Sequence, residues 1–294
     1  MPDLHRFMPP DELATLVRTA RLEDLGPVGI DVTSCCFIPE DAHTTTHIVP
    51  REPGVVAGLA TLATVCSIYS DEVVLESSAT DGDPATPGVS IAVLQGPTRD
   101  VLAIERVALN LLTHLSGIAS ITAAYVARCE GTEARIFDTR KTLPGLRGLQ
   151  KYAVACGGGG THRLGLYDAV LVKDNHLAGT PLEQLANRLS AAHAEAYRLN
   201  PQLQFFQVEV DNLHQLESVL KAPVDIVLLD NMPPETLRDA VAMRDAAAPD
   251  VELEASGGVN LDTVKAIAHT GVDRISVGAL THSANSLDIG LDTP

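Results

Sequence analysis

Tryptophan is absent from the 294-residue chain and aromatic residues make up only 3% of it, against 45% hydrophobic residues overall. Leu, Val, Ile and Ala must therefore fill the interior, as in helix-covered parallel sheets, which speaks against an aromatic-rich β architecture. Cysteine is scarce and badly spaced for crosslinking. There are five, an odd number, with Cys35 and Cys36 adjacent and no CxxC pair. Neither a disulfide framework nor a metal knuckle follows, and a reducing cytoplasmic location is expected. No run approaches the roughly 18 to 20 continuous apolar residues of a membrane span. Met1 to Glu12 has no apolar stretch behind a basic one, so neither export nor membrane embedding is expected. Positive charge is also short, with 21 Lys and Arg against 38 Asp and Glu and a formal net charge of -17. Phosphate backbones repel such a field, so no nucleic-acid partner is expected.

What basic charge there is clusters. Arg135, Arg140, Lys141, Arg147, Lys151, Arg163 and Lys173 fall in one stretch that holds only two acidic residues, Asp138 and Asp168. For Arg135, Arg147 and Lys151 a solvated helix face explains the charge as well as a site does. Whether the others converge on an anionic ligand depends on where they stand relative to strand ends.

This length allows one large α/β unit or two domains. The segment from Asp11 reads as a helix stopped at Gly26-Pro27, and His43 to Val49 as a β-branched strand. Ala57 to Ile68 reads as a helix, and Val73 to Glu76 and Val89 to Leu94 as strands. Arg99 to Ala127 is apolar-periodic but interrupted by Ser116-Gly117, so two helices or one kinked helix are expected, with a domain junction there. Beyond it the pattern is regular. Strands are expected at Ala134 to Phe137, Ala169 to Val172, Phe205 to Val210, Asp225 to Leu229, Glu252 to Ala255 and Arg274 to Val277. Helical segments lie between them, among them Leu182 to Leu199, Leu213 to Leu220, Glu235 to Ala247 and Leu261 to Thr270. Such alternation implies a parallel sheet, as a closed or incomplete barrel or, alternatively, as a doubly wound open sheet.

In barrels of this kind chemistry sits just beyond the carboxyl ends of the strands. Those positions hold Asp138, Thr139, Arg140 and Lys141, then Lys173, Asp174, Asn175 and His176, then Glu209 and Asp211, then Asp230 and Asn231, then Ser256-Gly257-Gly258, then Gly278-Ala279. A single polar residue at a strand end is ordinary, but all six ends share the feature. Ser256 to Gly258 before a helical segment suits a phosphate held by backbone N–H groups and a helix N-terminus, although a plain turn explains it equally well. Glu209 and Asp230 suit ribose hydroxyls, a divalent cation or both, unless they merely pair with nearby bases. Arg140, Lys141, Arg163 and Lys173 supply donors for carboxylate or phosphate oxygens. The run Gly157 to Gly160 could cradle a phosphate or simply end a helix. His162 could be a base or a hydrogen-bond donor. Walker, Rossmann and GxSxG patterns are absent, as is metal-ligand spacing among His and Cys.

The stretch Asp138-Thr-Arg-Lys-Thr-Leu-Pro-Gly-Leu-Arg147, with Gln150 to Val154, Gly157 to Gly159, His162-Arg163, Gly165 to Asp168 and Lys173 to His176, resembles the quinolinate phosphoribosyltransferase family. Glu23 to Gly26, Glu105-Arg106, Leu115 to Ile118, Leu228 to Asn231, Ser256 to Gly258 and Val277 to Ser283 match it too, in the expected order. Thr161, where the family usually has Asn, and the longer loop from Gly26 to Thr33 depart from its pattern without removing a contact residue.

The resemblance implies an incomplete α/β barrel, residues 116–280, with an N-terminal α/β sandwich domain, residues 1–115, on which the tail 281–294 packs back. It implies phosphoribosyl transfer from phosphoribosyl pyrophosphate to quinolinate with decarboxylation, and Mg²⁺ as cofactor. It further implies a homodimer, alone or as the unit of a hexamer, whose shared sites take Arg106 from the partner. Thr139, Arg140, Lys141, His162, Arg163 and Lys173 would then face the acid and the pyrophosphate. Glu209 and Asp230 would hold ribose and metal, and Ser256, Gly257, Gly258, Val277, Gly278 and Ala279 the 5-phosphate. Lys141, Lys173, Glu209 and Asp230 are the expected catalytic groups. A paralogue acting on another ring acid, and a barrel isomerase or lyase sharing only the phosphate site, are the alternatives.

Overall fold

A computed structural model describes residues 2–293. In chain order the main elements are α1 (Pro10–Leu25), α2 (Val32–Phe37), β1 (His43–Pro50), β2 (Gly54–Val55), α3 (Leu59–Tyr69), β3 (Val74–Ser77), β4 (Pro84–Ala85), β5 (Ala92–Pro97) and α4 (Thr98–Arg128). Then come β6 (Arg135–Phe137), α5 (Arg147–Cys156), β7 (Val170–Val172), α6 (Asp174–Leu177), α7 (Leu182–Leu199), β8 (Phe206–Val210), α8 (Leu213–Val219) and β9 (Ile226–Asp230). The chain finishes with α9 (Pro234–Ala247), β10 (Glu252–Ser256), α10 (Val264–Ala268), β11 (Arg274–Ser276), α11 (Ala279–His282) and β12 (Ile289–Asp292).

Two compact units result. The first comprises 1–123, 142–158 and 283–294, and the second 124–141 and 159–282. The sequence boundary at 115/116 and the unit boundary at 123/124 both fall inside α4, and α5 belongs to the first unit.

In the first unit an antiparallel sheet runs in the order β12-β1-β5-β3. The C-terminal strand is its edge, with His47 opposite Asp292 and Pro50 opposite Ile289. The Arg51 guanidinium pairs with the Asp292 carboxylate there. Helix α3 is capped by a buried carboxylate, Asp81, which accepts the N–H groups of Leu59 and Ala60 and the hydroxyl of Tyr152 at 2.8, 3.1 and 2.6 Å.

Helix α4 corrects the expectation of a break at Ser116-Gly117, for it is one continuous helix of 31 residues. Ser116 does not interrupt it but turns its hydroxyl onto Ala57, accepting that residue's N–H at 3.0 Å and donating to its carbonyl at 3.2 Å. Gly117 is there for space. A Cβ would stand 1.9 Å from the Asn285 carbonyl oxygen, so only glycine lets the C-terminal segment cross the helix this closely. The helix is long and apolar enough to span a membrane by composition, yet 56% of its most apolar window is buried inside the protein.

The second unit holds a six-stranded parallel sheet in the order β6-β11-β10-β9-β8-β7. From β7 to β11 the strands follow in chain order, and β6, the first, lies beside the last. A doubly wound sheet would reverse direction part-way across, so this is barrel order. β6 and β7 are the two edges, and the barrel is open between them. Gly160 extends the β6 edge, its N–H donating to the Ile136 carbonyl at 2.7 Å. A Cβ on Gly160 would meet the Phe137 ring at 2.6 Å, and one on Gly157, which caps α5, would meet the Ala119 carbonyl at 2.3 Å. The glycine run therefore ends a helix and packs closely against its neighbours.

Candidate active site

Parallel strands put their carboxyl ends on one rim, and the expected strand-end residues of the second unit fall on it. Lys141 follows β6, Lys173 follows β7, Glu209 lies within β8, Asp230 and Ser256 end β9 and β10, and Gly278 follows β11.

The loop from His162 to Gly165 is irregular, so its buried backbone needs partners from outside secondary structure. Side chains supply all four. The N–H of His162 goes to Asp138 Oδ1 at 2.8 Å, and that of Arg163 to His162 Nδ1 at 2.8 Å. Those of Leu164 and Gly165 go to the two oxygens of Asp168 at 2.7 and 2.9 Å. Thus both acids of the basic stretch, Asp138 and Asp168, clamp the backbone of this loop.

Arg163 is buried, and its guanidinium is held below the ordinary arginine range, first by burial and then by the like charge of Arg140. Asp168 offsets this only in part. Two guanidinium groups driven together and away from water favour a bound anion. His162, also buried, commits both ring nitrogens within the protein, Nδ1 as above and Nε2 to Gln207 Oε1 at 2.8 Å. Thr139 caps its own turn, its hydroxyl accepting the Lys141 N–H at 3.0 Å.

Across the rim, the Lys173 ammonium pairs with the Glu209 carboxylate. Asp230 Oδ2 accepts from Asn231 Nδ2 at 2.8 Å. Asn231 has φ 52, the one positive value among described non-glycine residues. Its N–H donates to the Ser256 carbonyl at 2.8 Å, and its amide fills the space where a Gly257 Cβ would stand, 2.2 Å away. Gly257 and Gly258 have φ 94 and 61, so the loop curls with successive positive φ, a concave arrangement suited to an anion. The expected helix N-terminus does not contribute, because α10 begins only at Val264 and is five residues long.

Gly278 lies against the Lys141 side chain, and a Cβ on it would be 3.0 Å from Lys141 Cδ and 3.1 Å from His282 Nε2. The Thr281 hydroxyl holds the Lys141 carbonyl at 2.7 Å. Lys141, Val277, Gly278 and Ala279 thus form one corner, to which His282 adds a side chain that strand-end position alone does not mark. Arg106 stands on α4 in the first unit, two-thirds exposed and 3.7 Å from Glu105.

Residues 118–292 match the quinolinate phosphoribosyl transferase C-terminal domain model, and residues 31–116 the corresponding N-terminal domain model. The chain belongs to the quinolinate phosphoribosyltransferase family. A relative from Mycobacterium leprae, named nicotinate-nucleotide pyrophosphorylase [carboxylating], is 45% identical over 96% of this chain and 97% of its own length. One from Bacillus subtilis, named "Probable nicotinate-nucleotide pyrophosphorylase [carboxylating]", is 39% identical over 96% of this chain and 93% of its own length. The solved nicotinate-nucleotide pyrophosphorylase from Francisella tularensis superposes with a TM-score of 0.87 at 35% identity, covering 98% of both chains. Like that structure, this member of the family is a two-domain α/β protein, an incomplete barrel with an N-terminal sandwich domain.

Proposed function

We propose that the chain transfers the phosphoribosyl group of phosphoribosyl pyrophosphate to quinolinate with loss of CO₂, giving nicotinate mononucleotide and pyrophosphate, a step of NAD biosynthesis. The observation that carries the reading is Arg163, whose guanidinium is buried at the site and lies under the like charge of Arg140. A ring dicarboxylate brings negative charge to these two guanidinium groups, and bidentate contacts orient it.

The pyridine nitrogen attacks C1 of the ribose as the C1–O bond breaks, the electron pair leaving with pyrophosphate. Lys141 and Lys173 neutralise that leaving group, while Glu209 and Asp230 hold the ribose and oppose the positive charge developing on its ring. The bond from ring carbon 2 to its carboxylate then breaks. Its electron pair stays on the ring, stabilised by the pyridinium, until a solvent proton takes it.

Among the described residues no three His, Cys, Asp or Glu side chains form a metal cage. Two carboxylates, Glu209 and Asp230, nevertheless fit Mg²⁺, which binds through one or two carboxylates together with phosphate oxygens and water. When bound, Mg²⁺ would add to charge neutralisation on the pyrophosphate. Ser256 to Gly258 and Val277 to Ala279 receive the 5-phosphate. A homodimer, alone or as the unit of a hexamer, with Arg106 of one protomer serving the site of its partner, follows from the same reading. Five free cysteines support a cytoplasmic location.

The deciding experiment is release of labelled CO₂ from quinolinate carrying ¹³C in its 2-carboxylate. Release that depends on phosphoribosyl pyrophosphate is expected; none, or release independent of that donor, would sink the reading.

A further inference from the structure

Side chains two apart on a strand share a face, so Gln207 lies on the same face of β8 as Glu209, and Glu254 on the same face of β10 as Ser256. Both therefore stand one layer beneath the rim, inside the barrel, and both are fully buried at 0% exposure. Amide and carboxylate groups are costly in such a place unless they are bonded. Here they converge on His162.

Nε2 of His162 lies 2.8 Å from Gln207 Oε1 and 3.5 Å from Glu254 Oε1. The other Glu254 oxygen accepts from Arg274 Nε at 2.9 Å, and the Arg274 guanidinium lies 3.7 Å from the centre of the Phe137 ring. On the opposite side of the imidazole, Nδ1 faces a donor, the backbone N–H of Arg163 at 2.8 Å. An imidazole nitrogen that accepts an N–H carries no proton of its own. The proton of a neutral ring is then on Nε2, where two oxygen acceptors face it.

We propose that Gln207 and Glu254 are positioning residues for recognition of the pyridine dicarboxylate. They hold His162 as its neutral Nε2–H tautomer, so that Nδ1 can take the Arg163 N–H and fix the peptide from which the Arg163 guanidinium extends. Arg274 holds the Glu254 carboxylate in orientation. In the other tautomer, or as imidazolium, an N–H at Nδ1 would face the N–H of Arg163, and the loop would have to move. His162 is thus a pivot beneath the substrate, and its ring nitrogens serve the protein rather than the ligand. The assignment rests on the proposed quinolinate activity for its kinetic consequence, but the tautomer can be read without any substrate.

Long-range ¹H–¹⁵N correlation spectra of the ¹⁵N-histidine-labelled enzyme, with His162→Asn identifying the signal, should show a neutral ring protonated at Nε2. An imidazolium, or a ring protonated at Nδ1, overturns the proposal whether or not the enzyme uses quinolinate. Gln207→Leu keeps the bulk and removes the acceptor. It should alter the His162 signal and raise KM for quinolinate about tenfold, with KM for phosphoribosyl pyrophosphate and kcat within about twofold. A purely structural role would lower the active fraction without separating the two substrates. A folded Gln207→Leu enzyme with unchanged quinolinate KM overturns the proposal, and if that variant does not fold, the wild-type tautomer still decides. Failure of the wild-type enzyme to turn over quinolinate would instead count against the proposed function.

Discussion

Lys173, on the loop after β7, pairs its ammonium with the carboxylate of Glu209 on the neighbouring strand β8. Lys173 is expected to take the leaving pyrophosphate and Glu209 the ribose. Glu209 is the more enclosed, 13% exposed at its side chain against 43% for Lys173. Each residue orients the other, so their losses should not simply multiply. Lys173→Ala and Glu209→Ala should each lower kcat about 100-fold. The double variant should lose less than the product of the two, by a coupling of about 1 kcal/mol or more. Steady-state rates for the four enzymes test this; strictly multiplicative losses would mean that the two act independently.

Gly257 should tolerate no side chain. Its φ of 94 lies in the left-handed region, and a Cβ would fall 2.2 Å from Asn231 Oδ1. Gly257→Ala should therefore cost about 1–3 kcal/mol of local strain. It should also push Asn231 off Asp230, raising KM for phosphoribosyl pyrophosphate more than KM for quinolinate. Equal KM changes for both substrates would show that the loop has no special relation to the sugar phosphate.

Arg106 is exposed on α4, and its guanidinium stands 3.7 Å from the Glu105 carboxylate. If it completes the site of a partner chain, Arg106→Ala and Lys173→Ala protomers, each strongly impaired alone, should recover activity when mixed. One of the sites in a mixed dimer then has both residues. Verified mixed dimers that remain as impaired would argue against shared sites.

The strands of the barrel were legible because β-branched runs alternate with amphipathic segments, and all six expected strands are present within a residue or two at their ends. Their order was not. It depends on β6 pairing with β11, a contact far apart in the chain that no local period reveals. Gly117 misled for the same reason: its neighbour is Asn285, so a close approach between distant segments reads locally as a helix break. At the site, strand ends marked the rim residues. The layer beneath them, Gln207 and Glu254 around His162, has no motif, because its meaning lies in which strands adjoin. Asn231 left a faint signal, since Asn is among the few residues that readily take a positive φ.

His114 offers a test of α4 from the opposite direction, through pH. Its Nε2 lies 2.9 Å from the amide nitrogen of Gln150, whose amide oxygen accepts the Leu143 N–H at 2.9 Å. The Gln150 amide nitrogen carries only donors, so the ring nitrogen must accept and be unprotonated. Burial also holds the His114 pKa below its ordinary value of 6.5. Above that value the ring is neutral in both the folded and the unfolded chain, and His114 adds no pH dependence. As pH falls through it, the unfolded chain takes up a proton that the folded protein resists, so stability declines until the folded pKa is reached. Denaturant unfolding at about pH 7 and about pH 5 should therefore show a larger loss for the wild type than for His114→Gln, which cannot take up that proton. Equal losses would mean that His114 is protonated as easily in the folded protein as in the unfolded chain, and that its bond to Gln150 is not maintained.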